Sequence, residues 1–343
     1  MKAAVLSSPE KIAVKEVEAP KAVKDEVLIR VKACAICTTD RRWYSGVSKI
    51  SYPAIIGHEV AGIAESISSE NTDLNIGDHV AAGGLFAYNC GHCIYCKMGF
   101  ENQCMSLKKK SLRSGERLSS GGFAEYFVFP IKGVYRISDK ITFEEAALAE
   151  SLSCVIHSFK KANVSSGSSV FIVGAGPMGL LHLMLAKLKG CKTIVSDTDD
   201  RRRKLAENIG ADVTANPLDA NFYERIGSFV QDEIVEGIFI TAGNKDAIEQ
   251  AFKIGKKLST IVLYGSVYPA AMIELSSEIH YSENIFTGSR SQTALDFLEA
   301  VKLLSSQAID VKPLISEVIP LNEIESGFNI RPKDNIQRIV VKL

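Results

Sequence analysis

Residues 170–179 constrain the fold more than any other stretch. The apolar run Val170-Phe-Ile-Val173 leads straight into Gly174-Ala-Gly176-Pro-Met-Gly179, which opens a second apolar run reaching Leu188. A short β-rich run, a glycine cluster and a helical period read as strand, tight turn and helix. The first glycine permits the turn, the second lets a bound group approach the backbone, and the third lets the helix pack on the strand. The helix N-terminus then faces an anion such as a pyrophosphate. Strand and helix patterns alternate downstream at Thr193–Ser196, Asp199–Ile209, Gly237–Ile240 and Leu258–Tyr264, which predicts a parallel, doubly wound α/β sheet. Asp197 ends the second strand, where a carboxylate binds a ribose 2′-hydroxyl and repels a 2′-phosphate, favouring NAD over NADP. The expected cofactor contacts are Gly174, Gly176, Pro177, Met178, Gly179 and Asp197, with Leu263 and Gly265 near the nicotinamide at the end of a later strand. Of the basic run Arg201-Arg202-Arg203-Lys204, Arg202 is the candidate phosphate contact, and most of the run reads as the solvated start of a helix.

A chain of 343 residues is long enough for two domains, each with its own core. The first half carries β-rich runs such as Glu26–Val31 and Phe123–Val128, split by Gly, Asp and Pro. The expected division is a mostly-β domain over 1–151 and 286–343, with the nucleotide-binding domain over 152–285. Lys and Arg balance Asp and Glu at 40 each, so no net field draws nucleic acid or an anionic membrane, and the expected partner is a small molecule. Ser7, Ser8, Pro9, Glu10 and Lys11 interrupt any leader-like apolar run, which points to a cytoplasmic protein. The glycines and proline within Val170–Leu188 argue for a buried strand and helix there instead of a membrane span.

Four of the eight cysteines lie in one loop: Cys90-Gly-His-Cys93-Ile-Tyr-Cys96, then Cys104 after seven residues. Four thiolates can enclose zinc tetrahedrally and leave no position for substrate, so this site is expected to be structural. His92 can compete as a ligand but is expected to face solvent. A second set is dispersed. Cys37-Thr38-Thr39-Asp40 and Gly57-His58-Glu59 supply the Cys, His and carboxylate donors of an open, catalytic zinc site, although each residue alone reads more simply as structural.

Together, Cys34-Ala-Ile-Cys37-Thr-Thr-Asp40, Gly57-His58-Glu59, the four-cysteine loop, Gly121-Gly-Phe-Ala-Glu-Tyr126 and the glycine turn resemble the zinc-containing medium-chain dehydrogenases, in order and over essentially the whole chain. The resemblance implies a GroES-like catalytic domain, a Rossmann domain, two zinc ions per subunit and a homodimer or homotetramer. It implies that Cys37, not Cys34, ligates the catalytic zinc, with His58 beside it and Glu59 as a carboxylate that ligates or exchanges with water. Where alcohol dehydrogenases of the family place a second Cys, polyol and threonine dehydrogenases place the Glu of a Glu-Pro-Leu-Ser segment. This chain reads Glu150-Ser-Leu-Ser153, so Glu150 is the matching ligand and the polyol-type site is favoured, with Cys154 taken as buried.

Thr39 occupies the family's hydroxyl position, which accepts the alcohol proton. Arg42 stands where many relatives have a relay His, a role that an always-protonated guanidinium cannot fill. The implied reaction is hydride transfer between a secondary alcohol, a sugar alcohol or its phosphate, and NAD. An L-threonine 3-dehydrogenase, a simple alcohol dehydrogenase and a catalytically silent zinc-binding protein are the alternatives. Arg290 is read as a phosphate contact or a surface ion pair, and Trp43 and Tyr44 as pocket walls or core. His79, His157, His182 and His280 are assigned to structure.

Overall fold

The computed structural model describes residues 1–70, 72–107, 121–231, 234–267, 270, 278–330 and 337–343. They form two compact units, Met1–Ser153 with Ser291–Leu343, and Cys154–Arg290.

The second unit is built on a six-stranded sheet in the order Val213–Ala215, Lys192–Ser196, Ser169–Val173, Val235–Ile240, Thr260–Leu263, Ile285–Gly288. Every pairing is parallel. The chain runs outward from Ser169–Val173 first to one side and then to the other. The order therefore reverses beside the strand that carries the glycine turn, where such sheets open a crevice at their carboxyl ends. All five residues of Ser169–Val173 are buried, as expected of a strand covered on both faces. Helix Pro177–Leu188 follows with Pro at its start, where a missing N–H costs nothing.

The sequence pattern places residues from 286 in the first domain, but the structure puts Ile285–Gly288 on the edge of this parallel sheet, paired with Thr260–Leu263. The physical reason is its short length and edge position. A four-residue strand with no fully buried side chain carries neither the alternation nor the continuous apolar run that marks a strand in sequence.

The first unit centres on the long strand Glu26–Ala35, whose inward residues alternate along most of its length. It pairs antiparallel with Glu59–Ile67, Tyr126–Pro130 and Arg338–Lys342. The register sets Ala35 opposite Glu59. The chain two residues beyond the end of one strand therefore lies beside the first residues of the other, which brings Cys37 to His58 and Glu59. Helix Ala149–Ala162 carries Glu150 in its first turn. Among the described residues, no helix is long and apolar enough to cross a membrane.

Candidate metal centres and nucleotide site

The four cysteines of the loop converge. Cys90, Cys93, Cys96 and Cys104 offer sulfurs all within 4.8 Å of one another. The Cys93–Cys96, Cys93–Cys104 and Cys90–Cys96 separations are 3.5, 3.9 and 4.0 Å. A tetrahedron with zinc–sulfur bonds of about 2.3 Å has edges of about 3.8 Å, so the donor set fits zinc. Backbone N–H groups of Cys90, Cys93 and Ser106 donate to these sulfurs. The N–H groups of His92 and Cys93 hold the Cys90 thiol down at about 5, while burial and the neighbouring Cys93 push Cys96 up to about 12. A central cation removes the cost of bringing the fourth thiolate into the group. His92 is exposed and turned onto the Cys90 carbonyl.

The dispersed set also converges. Donor atoms of Cys37, His58 and Glu59 lie within 4.8 Å of one another. Asp40, wholly buried, ties the two segments together. Its carboxylate accepts the N–H of Cys37 at 3.0 Å and of Gly57 at 3.1 Å, and lies 3.2 Å from His58 Nδ1. With Nδ1 engaged there, Nε2 is left for a metal. Gly57 has φ +101°, and a Cβ on it would lie 2.9 Å from Cys34 Sγ, so the turn that presents His58 requires glycine. Burial opposes charge on His58, but Asp40 and Cys37 raise its pKa well above the usual range. Surroundings that stabilise a proton there stabilise a metal cation too.

Glu59 has no exposed surface. Its Oε1 accepts the Ser151 hydroxyl at 2.7 Å and lies 3.2 Å from Arg338 Nη2, while Arg338 also reaches Ser151 at 2.5 Å. Oε2 is buried and has no hydrogen-bond partner among the described residues. An acceptor left without a partner costs about 1–3 kcal/mol, and more when charged, so this orphan oxygen is what a metal ligand looks like before the metal is counted. Glu150 is not one of the three grouped donors. Burial raises its pKa, and it feels the charges of His58 and Glu59 nearby.

Thr39 lies half-buried in the first turn of helix Thr38–Tyr44, directly after Cys37, and Arg42 lies further along the same helix. The aromatic pair divides. Tyr44 is core, stacked on Phe328 at 4.7 Å between centroids and bonded to Asn329, whereas the Trp43 and His58 rings meet edge-on with their centroids 5.8 Å apart. His79 pairs with Asp139, and His182 is buried between the Met178 carbonyl and the Ser158 hydroxyl. Burial lowers His182 to about 4, keeping it neutral.

In the second unit, the carboxyl ends of three strands meet around the glycine turn. Gly174 has φ +102°, and a Cβ on it would lie 2.8 Å from Thr241 Oγ1. A Cβ on Gly179 would strike the Gly174 carbonyl at 1.8 Å, and one on Gly265 would lie 2.7 Å from the Thr241 carbonyl. Gly176 differs, because nothing lies within 4 Å of the Cβ position there, which leaves room for a bound group at the N-cap of helix Pro177–Leu188. No side chain caps that helix start, which suits an anionic ligand. Met178 and Leu263 are each half-buried, Met178 in the first turn of the helix and Leu263 at the end of its strand.

Asp197 accepts the N–H of Ala175 at 2.8 Å and of Asp199 at 2.9 Å. Each member of the basic run meets an acid: Arg201 with Asp199, Arg202 with Asp197 at 3.7 Å, Arg203 with Asp200 and Lys204 with Glu207.

Asp40, Ser151, Arg338 and Gln292 are site residues that the sequence reading does not single out. Asp40 alone had a local signal, since it lies three residues beyond Cys37 at the start of a helix, where a carboxylate closes a capping box.

The model for the alcohol dehydrogenase GroES-like domain matches residues 23–139, and that for zinc-binding dehydrogenases matches 177–306. The chain is 32% identical to an alcohol dehydrogenase of Geobacillus stearothermophilus, with 100% of both chains covered. It is 29% identical to a sorbitol dehydrogenase of Bacillus subtilis, covering 96% of this chain and 92% of that one. A solved zinc-binding dehydrogenase from Sinorhizobium meliloti, bound to NADP, matches with a TM-score of 0.86 at 28% identity, covering 100% of this chain and 99% of that one. With both domain types in sequence and a full-length relative above the similarity that marks common descent, the chain belongs to the zinc-containing medium-chain dehydrogenases, oxidoreductases that act on alcohols.

Proposed function

We propose that the chain oxidises a secondary alcohol of the sugar-alcohol or sugar-alcohol phosphate class to the ketone, with NAD as hydride acceptor. The convergence of Cys37, His58 and Glu59, with the orphan Glu59 Oε2 among them, carries this reading. Zinc supplies a Lewis acid that lowers the pKa of a substrate hydroxyl, and nicotinamide accepts the hydride. Cys37, His58 and Glu59 hold the metal, and Glu150 completes the set directly or through water. Thr39 takes the hydroxyl proton, and Arg42 on the same helix, permanently cationic, does not relay it. Cys90, Cys93, Cys96 and Cys104 hold a second, structural zinc. Gly174, Gly176, Pro177, Met178 and Gly179 seat the pyrophosphate, with Leu263 and Gly265 towards the nicotinamide. Assembly as a cytoplasmic homodimer or homotetramer completes the proposal.

Glu150 in place of Cys, together with the likeness to a sorbitol dehydrogenase, supports the polyol class over simple alcohols. A panel of polyols, polyol phosphates, threonine and simple alcohols, followed by NADH formation, tests this. Turnover should be fastest with a polyol or its phosphate, and turnover of simple alcohols alone would overturn the class. The choice of NAD is supported by Asp197 at the end of its strand, a carboxylate that would bind a ribose 2′-hydroxyl and repel a 2′-phosphate, although Arg202 beside it would favour that phosphate. Asp197→Ala should cost about tenfold to a hundredfold in kcat/KM for NAD, the worth of hydrogen bonds to a charged group, and much less for NADP. Equal losses with both cofactors would remove that basis.

A further inference from the structure

Thr241 is the first residue past strand Val235–Ile240, which pairs with Ser169–Val173 where the sheet order reverses. Its backbone is fixed, because the N–H groups of Thr241 and Ala242 both donate to the Val173 carbonyl, at 2.9 and 3.1 Å. Its side chain turns in below the glycine turn. Thr241 Oγ1 lies 2.9 Å from the Val173 carbonyl oxygen and 3.0 Å from that of Gly174, and its one proton is shared between them. The same oxygen lies 2.8 Å from where a Cβ would stand on Gly174 and 3.0 Å from that position on Gly179. The hydroxyl therefore occupies the space that two of the three glycines leave open.

The peptide that joins Gly174 to Ala175 is thereby held at both ends. Its carbonyl receives the Thr241 hydroxyl, and its N–H donates to Asp197 Oδ2 at 2.8 Å. Ala175 has no exposed surface, so that N–H has to find its partner inside the protein. Asp197 has further anchors of its own, the Asp199 N–H on Oδ1 and Arg202 3.7 Å from Oδ2. A peptide group is planar, so turning its carbonyl also turns its N–H. Gly174, at φ +102° and without a Cβ, does little by itself to fix that plane.

Resting on the dinucleotide-site reading above, we infer that Thr241 is a positioning residue for the cofactor, whose hydroxyl fixes the Gly174–Ala175 peptide and so sets the glycine turn against the Asp197 carboxylate. Glycine has the most backbone freedom to lose. The hydroxyl removes part of that freedom before the cofactor arrives, so that binding does not have to.

The test titrates NADH and NADPH into the full chain and reads Kd from the nicotinamide fluorescence. Thr241→Val should weaken the tighter-binding of the two about tenfold, the effect of taking a hydrogen bond from a carbonyl within the fold. Thr241→Ala, which is smaller and also lacks the hydroxyl, serves if the Val variant does not fold. Thr241→Ser keeps the hydroxyl and should bind within about threefold of wild type. In an Asp197→Ala background the same Thr241→Val change should cost no more than about threefold, because the peptide has already lost its other anchor. Without cofactor, hydrogen–deuterium exchange over residues 174–179 should be faster in Thr241→Val than in wild type.

A Thr241→Val or Thr241→Ala variant that binds as wild type overturns the inference, and so does a Ser variant as weak as the Val variant. Unchanged exchange over 174–179, or an undiminished loss in the Asp197→Ala background, also overturns it, because the effect then does not pass through the shared peptide. A folded wild type that binds neither NADH nor NADPH overturns the dinucleotide-site reading itself, which separates the two failures.

Discussion

The two ligand clusters bring their donors equally close but are built in opposite ways. Cys90, Cys93, Cys96 and Cys104 come from one loop, the first three half-buried and Cys104 buried, and the N–H groups that orient their sulfurs belong to the same loop. Cys37, His58 and Glu59 come from the ends of paired strands and are held by charged or polar side chains drawn from across the unit: Asp40, Ser151 and Arg338. The first arrangement satisfies its sulfurs locally and presents a closed shell. The second leaves one Glu59 carboxylate oxygen without a hydrogen-bond partner among the described residues, which suits a group that waits for a cation. A closed site can be made by a loop, but an open site needs a scaffold that keeps its ligands in place when one position empties or exchanges.

The contrast is largest in activity. Cys37→Ser should cut turnover of the best alcohol in the panel by about three orders of magnitude or more, since a metal supplies several kcal/mol of transition-state stabilisation at about 1.4 kcal/mol per tenfold. Steady-state kinetics on the folded variant checks this. Next is the clamp. Asp40→Asn keeps the shape but weakens the charge on the His58 contact, and zinc affinity at that site should fall about 10- to 100-fold by chelator competition. The four-cysteine site should not change.

The smallest effect on turnover should come from the four-cysteine loop. Cys93→Ser should abolish metal binding in the loop and make the segment around Cys90–Cys104 susceptible to proteolysis. The turnover of the remaining folded protein should stay within about tenfold of wild type. A larger loss than that of Cys37→Ser would reverse the assignment of the two sites.

How far each region was legible in the sequence follows the same division. The four-cysteine loop announces itself because all of its geometry is local. The glycine turn is legible for the same reason, since Gly174, Gly176 and Gly179 each do a separate steric job within one turn and the helix it opens. Cys37, His58 and Glu59 gained meaning only as a set, because the register of Ala35 against Glu59 unites them and no spacing rule encodes a register.

Arg338 and Gln292 were invisible. The first meets Ser151 across 187 positions and the second meets Glu150 across 142, and an isolated Arg or Gln carries no pattern. Glu150 is legible through its segment, whereas the amide that meets it across the chain is not. Residues 286–288 of the edge strand fall on the other side of the expected division because a short, partly exposed strand offers no period to read.

The central claim is that this chain holds two zinc ions in independent sites, one of them built for chemistry. Zinc per chain, measured by elemental analysis on folded wild type, Cys37→Ser and Cys93→Ser, tests it most directly. The account predicts two in wild type and one in each variant, with alcohol-dependent NADH formation lost only when Cys37 is changed. Two zinc ions retained by Cys37→Ser, or a wild type that holds only the four-cysteine zinc, would contradict it.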